Sequence, residues 1–187
     1  MNIVERVYRT CTYIAGDWTG DKNLIDKLHE WNNNQKLGLK FVDVHDLTQS
    51  RDTSLPCSIK QNLRKRLSVT KTFVLIVGES TSNLTKGSCR YCPNYVSQPF
   101  NRSYCRSGNA IDTRSFIEYE CEMALRDFNV GLIKKIVVIY KGNLVNMPLR
   151  CPQVLRNVTG ISYIPSHISE NGMRSWNYQA IKKAICD

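Results

Sequence analysis

The sequence lacks any apolar run near the ~20 residues that a membrane-spanning helix needs. Its opening, Met1-Asn-Ile-Val-Glu-Arg-Val-Tyr, has no apolar stretch of signal-peptide type, so a cytoplasmic protein is the expectation. Acidic residues are in deficit: 16 Asp+Glu against 26 Lys+Arg leave a net charge of +10. That balance suits an anionic ligand, nucleic acid or plain solubility. Ordinary hydrophobic (42%) and charged (22%) shares exclude a disordered or fibrous chain. At 187 residues the chain reads as one domain. Its eight cysteines, with no secretory signal before them, read as thiols or metal ligands and not as a disulfide framework.

Several motifs are missing too. After the first expected strand the loop is Ala15-Gly-Asp-Trp-Thr-Gly20, which is not a dinucleotide fingerprint, and there is no P-loop. A phospho-acceptor receiver needs an aspartate after its third strand, but Val77-Gly-Glu-Ser80 stands there.

What is present alternates between strand and helix signals. Val7–Ile14 is rich in β-branched and aromatic residues, and Ala15-Gly16-Asp17 ends it. Leu24, Leu28 and Trp31, with Ile25, mark a helix closed by Asn32-Asn33-Asn34. Leu39–His45 alternates as a second strand. After a polar loop a helix begins near Ser54, with Pro56 in its first turn and Ile59, Leu63 and Leu67 inward. Lys60, Arg64, Lys65 and Arg66 fall on its other face, which reads as solvated. Thr72–Val77 and Lys135–Tyr140 are unbroken apolar runs, as expected of parallel strands covered on both faces. Between them, Ser115 and Glu118 form a capping box that opens a helix with Ile117, Cys121, Ala124, Leu125 and Phe128 inward. Asn143–Thr159 has weak helical content, Ile161–Ile164 reads as a short fifth strand, and Ser175–Cys186 as a final helix.

The order predicts an α/β, three-layer, flavodoxin-like sandwich with a central five-stranded parallel sheet. Residues 80–114, rich in Ser, Asn and Gly, read as an insertion within a single domain spanning 1–187. Ligands of such sheets bind beyond the carboxyl ends of the strands. Gly16–Gly20, His45–Thr53 and Glu79–Arg114 are therefore expected around one crevice.

Among the chemistries open to this architecture is cleavage of a ribosyl–base bond, whose oxocarbenium-like state a carboxylate can stabilise. Glu118, Glu120 and Glu122 lie on the helix after the insertion, and helical phase does not choose between the first two. All three also suit a helix start without any catalytic role.

Four segments carry a family resemblance. They are Thr12-Tyr-Ile-Ala-Gly-Asp17, Cys57–Leu67, Thr72–Gly78, and Phe116-Ile-Glu-Tyr-Glu120 ahead of Ala124-Leu125. Together they resemble bacterial TIR-like proteins, the group that contains the TIR subunits of Thoeris antiphage systems. The resemblance implies a signalling domain that cleaves or cyclises NAD at the nicotinamide–ribose bond. It makes Glu120 the catalytic carboxylate, with Phe116 in the place of the family's usual Trp. Gly16, Asp17, Trp18, Asp46 and Phe116 would then contact substrate: Trp18 stacking a base, Asp17 and Asp46 binding ribose hydroxyls. Packing by Trp18 and turn formation by the aspartates are the alternatives. Implied partners are a second copy, another TIR-like or effector protein, and a nucleotide; neither membrane nor nucleic acid is expected. A non-catalytic TIR-like interaction module and a nucleoside deoxyribosyltransferase are the rival readings.

NAD enters as substrate, so no cofactor is required. Zinc is the one metal to weigh. Cys89 and Cys92 stand at C-x2-C spacing, and Cys105 and Cys121 are the nearest to complete four ligands. The absence of a second C-x2-C puts free thiols ahead of zinc.

Overall fold

The computed structural model describes residues 9–44, 54–98, 102–142, 147–168 and 174–186. Its centre is a parallel sheet of four strands: β1 (Cys11–Ala15), β2 (Thr70–Val77), β5 (Lys135–Tyr140) and β6 (Ser162–Ile164), in the order β1-β2-β5-β6. Strands β3 (Tyr95–Val96) and β4 (Tyr104–Cys105) form a small antiparallel pair inside the 80–114 segment. A second such pair joins β7 (Ser166–Ile168) to β8 (Arg174–Trp176).

The two apolar runs form the centre of the sheet for a physical reason. In β2, Phe73, Leu75 and Val77 point to one side while Val74 and Ile76 point to the other. In β5, Ile136, Val138 and Tyr140 share the first side, and Val137 and Ile139 the second. Every position therefore meets a core, so the pattern shows no alternation. Helices α2 (Pro56–Ser68) and α3 (Phe116–Asn129) cover the first side with Leu63, Leu67, Ile117, Cys121 and Ala124. Helices α1 (Lys22–Asn33) and α4 (Tyr178–Cys186) cover the second with Leu24, Ile25, Leu28, Trp31, Ile181 and Ile185. The three layers match the sequence expectation.

Of the five strands expected, four pair into the sheet among the described residues. Leu39–His45 was expected as a strand, yet its described part, 39–44, makes one isolated parallel bridge, Thr12 to Asp43. Val42 O accepts from Thr12 N at 2.8 Å. The outer edge of this segment is held from α1: Asn32 donates from Nδ2 to Phe41 O (3.0 Å) and accepts at Oδ1 from Phe41 N (2.8 Å). A side chain thus satisfies the Phe41 backbone groups, which face away from β1, and no further strand pairs there among the described residues. The segment still lies beside β1 and covers that edge of the sheet.

The last helix also begins later than expected, at Tyr178 and not Ser175. Ser175 and Trp176 pair with His167 and Ser166 instead. Asn177 then starts the helix: its Oδ1 accepts from Ala180 N at 3.0 Å. The capping box at Ser115 is present as expected. Ser115 Oγ accepts from Glu118 N at 3.2 Å, and Glu118 Oε2 accepts from Ser115 N at 2.7 Å.

The basic face of α2 is not solvated. Lys60 and Arg66 are buried, and Arg64 makes a two-bond ion pair with Asp127 (2.9 and 3.0 Å). Arg9 joins the same carboxylate at 2.8 Å. Lys60 Nζ donates to Arg114 O (2.7 Å) and Asp112 O (3.1 Å) and pairs with Asp112 Oδ1 at 3.2 Å. Helical phase exposed these cations in the sequence; residues 112–127 supply the partners of Lys60 and Arg64, and Arg66 lies beside Tyr13 and Glu120 in the core. Of the four, Lys65 stays exposed.

Candidate functional site

Parallel strands end together, so the loops that follow them converge. Here the loops after β1, β2 and β5 surround an open cleft of about 470 Å³. Asp17, Gly20, Asp21 and Asn23 come from the first loop and the start of α1. Glu79 and Ser80 follow β2, Lys141 and Gly142 follow β5, and Ser166, Ser175 and Trp176 close the far wall.

Asp21 is the most constrained group in this wall. Its side chain is buried, and burial pushes its carboxyl up from the ordinary value; the Asp17 backbone N–H (3.1 Å) and the Lys141 ammonium (3.7 Å) oppose that shift. The carboxylate presses on β2's end. A Cβ on Gly78 would sit 2.0 Å from Asp21 Oδ1, so only glycine leaves it room. Lys141 also donates to Gly20 O, which ties the β5 loop to the β1 loop. The wall thus offers a cation for a phosphate, carboxylates and hydroxyls for sugar hydroxyls, and the Trp176 ring for a planar base.

The residues expected at the site divide. Asp17 lines the cleft. Gly16 is not among the lining residues; a Cβ there would sit 3.3 Å from Ile76 Cβ and 3.6 Å from Asp21 Oδ2. Trp18 is 47% exposed and is not part of the wall; Trp176 supplies the aromatic face there. Asp46, and with it 45–53 of the expected crevice, lies outside the described residues. Phe116 packs on the insertion, its ring where a Gly87 side chain would be.

Glu120 is elsewhere. It lies one turn into α3, facing β1 inside the α2–α3 core, and it is 6% exposed. Its Oε1 accepts a hydrogen bond from Tyr13 Oη. Burial pushes the Glu120 carboxyl up to about 7, against the pull of the Tyr13 bond and the Arg66 charge. It is not among the residues lining the cleft. Glu118 is exposed and committed to the helix cap, and Glu122 pairs with Arg114.

The cysteines divide as well. Cys89, Cys92 and Cys105 line one small cavity, joined there by Cys57 of α2. Cys121 lies apart from them, fully buried in the core beneath α3, where burial pushes its thiol well up.

Sequence reasoning missed Asp21, Lys141 and Trp176. Two of them carried a signal. Lys141 directly follows an apolar run, at a strand's carboxyl end, and Asp21 directly precedes α1. Trp176 was hidden by the expectation that a helix already runs through it.

A parallel sheet covered by helices on both faces, with its cleft at the strands' carboxyl ends, defines a three-layer α/β domain. Part of the chain has a likeness in sequence: residues 11–86 match the family model for the TIR-like domain of Thoeris protein ThsB. The match runs from β1 through α1 and α2 to the loop beyond β2, and Phe116 and Glu120 lie outside it. No curated protein matches the chain. No described helix is long and apolar enough to cross a membrane.

Proposed function

We propose that this chain is a TIR-like signalling domain of antiphage defence that takes a nucleotide, NAD first among them, in the cleft beyond β1, β2 and β5. The observation that carries this reading is the composition of that wall: Lys141, Asp17, Asp21 and Trp176 around a space of about 470 Å³. That volume lies within the range of small-molecule sites. Lys141 faces the phosphates, the aspartates and serines take ribose hydroxyls, and Trp176 stacks a ring.

The finer proposal is cleavage. The bond from the ribose anomeric carbon to the nicotinamide nitrogen breaks, and its electron pair leaves with neutral nicotinamide. Water, or a nitrogen of the adenine, then adds to that carbon and gives up a proton. Glu120 is the proposed carboxylate, on the strength of the Phe116–Glu120 segment. Its hydrogen bond to Tyr13 and its place in the core favour the second reading, a non-catalytic TIR-like module that binds a nucleotide and associates with a second copy or an effector.

Purified protein incubated with NAD separates the two, with nicotinamide and the ribosyl product followed by mass. Catalysis predicts nicotinamide release that Glu120→Ala abolishes and Glu118→Ala leaves intact. Equal release by Glu120→Ala removes the assignment. Calorimetric binding of NAD without release, weakened by Lys141→Ala, identifies the binding module. Loss of neither signal on Lys141→Ala removes the cleft. Consumption of deoxynucleosides in place of NAD would identify a deoxyribosyltransferase.

A further inference from the structure

Four cysteines from three parts of the chain surround a single atom-sized space. Cys57 is the second residue of α2. Cys89 opens a single 3-10 turn, Cys89–Tyr91, Cys92 directly follows it, and Cys105 ends β4. The space between them measures about 10 Å³. That is about the volume of one water-sized sphere, too small for any organic ligand. Leu55, Tyr95, Asn109, Ala110 and Ile111 complete its wall, so among the described residues no carboxylate or imidazole faces it.

We propose that Cys57, Cys89, Cys92 and Cys105 form a structural zinc site of four thiolates, with Cys57 and not Cys121 as the fourth ligand. Three features support this. The backbone around Cys89 and Cys92 is folded for a metal-binding knuckle. Cys92 N donates to Cys89 O (3.0 Å), Tyr95 N to Cys92 O (2.9 Å) and Asp112 N to Cys89 Sγ (3.4 Å). Such N–H···S bonds are the outer contacts that orient a ligating sulfur. At Cys57, Asn109 Nδ2 does the same at 3.4 Å. The turn after Cys105 is tight: Gly108 N donates to Cys105 O at 2.9 Å, and Gly108 adopts φ +71°.

The charge is also complementary. Zn²⁺ with four thiolates carries two negative charges. The segment 80–114 supplies Lys86, Arg90, Arg102, Arg106 and Arg114 against Asp112 alone. Finally, the segment needs a staple. Its strands β3 and β4 are two residues long each, far short of an independently stable hairpin. Soft sulfur ligands in a small apolar cage select zinc over hard cations such as magnesium. All eight thiols are free, and among the described residues no three potential ligands are yet gathered at metal-holding spacing. Binding therefore closes the ring by rotation about χ1 of the cysteines, each of which has three staggered positions. The four thiols release their protons on loading.

The test uses the full chain, expressed in zinc-supplemented cells and purified without chelator. Metal analysis is expected to find about one zinc per chain. Cys57→Ser is expected to lower that content at least several-fold, whereas Cys121→Ser leaves it unchanged. A variant-free measurement runs alongside. N-ethylmaleimide labelling with peptide mapping, before and after zinc removal, should show Cys57, Cys89, Cys92 and Cys105 protected only while zinc is bound. Cys186 should be labelled in both states. X-ray absorption at the zinc edge should give a four-sulfur shell near ~2.3 Å. Less than roughly a tenth of an equivalent of zinc in the wild type overturns the proposal. So does a nitrogen- or oxygen-containing shell, zinc-dependent protection of Cys121 in place of Cys57, or a mass deficit that shows disulfides at these positions.

Discussion

Replacing Glu120 by glutamine should change how stability depends on pH more than it changes the fold. Burial raises the Glu120 carboxyl from its ordinary 4.5 to about 7. Between those values the folded chain holds a proton that the unfolded chain has released. The contribution of this group is therefore complete below pH 4.5, and it is lost as pH rises towards 7. Each pH unit in that interval costs about 1.4 kcal/mol, so the full loss is about 3 kcal/mol. Glutamine has the same shape, stays neutral, and still offers an oxygen to Tyr13 Oη. The assay is urea unfolding of wild type and Glu120→Gln from pH 4.5 to 8, followed by tryptophan fluorescence. Asp21, also raised, titrates alike in both proteins and cancels in the difference. The expected result is a difference curve that moves in favour of the glutamine variant by about 3 kcal/mol as pH rises, and levels off above 7. A difference that is flat across the range would refute the reasoning, since Glu120 would then titrate as it does in water. So would a midpoint near 4.5.

Gly78→Ala places a methyl against the Asp21 carboxylate and should cost about 2 kcal/mol. In an Asp21→Ala background the penalty should shrink, and strict additivity of the two in denaturation would contradict the contact. Asp127→Ala strips Arg9 and Arg64 of their shared carboxylate. The loss should be about 3 kcal/mol, at the low end for a buried pair because Arg64 is partly exposed; a loss near zero would show the cluster to be incidental. Its two guanidinium partners hold the Asp127 carboxyl below the ordinary value of 3.8. That stability is present above pH 3.8 and lost as pH falls through the lower folded value, so Asp127→Asn should flatten the acid limb of the stability profile. Ser115→Ala removes half of the capping box and should cost about 1 kcal/mol in thermal or urea unfolding.

How much of this was legible depended on how local each determinant is. The runs Thr72–Val77 and Lys135–Tyr140 announced buried parallel strands, because burial on both faces leaves no alternation to misread. Ser115 and Glu118 announced a helix start, because both partners of the box lie within four residues. The edge segment 39–44 alternated like a strand yet makes a single bridge to β1, and its outer edge is satisfied by the Asn32 side chain, seven residues before it, not by another strand. Lys60, Arg64 and Arg66 read as a solvated face, because their partners lie more than forty residues away. The cleft's position followed from topology, and Asp17 with it. Trp176 did not, since it belongs to a strand that only pairing with β7 defines. Glu120 was singled out by a segment pattern, which carries no information on whether α3 reaches the cleft, and no α3 residue lines it.

The ammonium of Lys60 has a thermodynamic consequence. It bonds the carbonyls of Asp112 and Arg114 at the very point where the insertion passes into α3, and its own backbone belongs to α2. The end of the insertion therefore cannot lift away without stripping a buried cation of its partners, and the first turn of α3 cannot fray without disturbing its attachment to α2. Two helices and one long excursion share a single opening transition. Slow amide exchange at the start of α3 and in the second turn of α2 would then report the same free energy, as one cooperative unit.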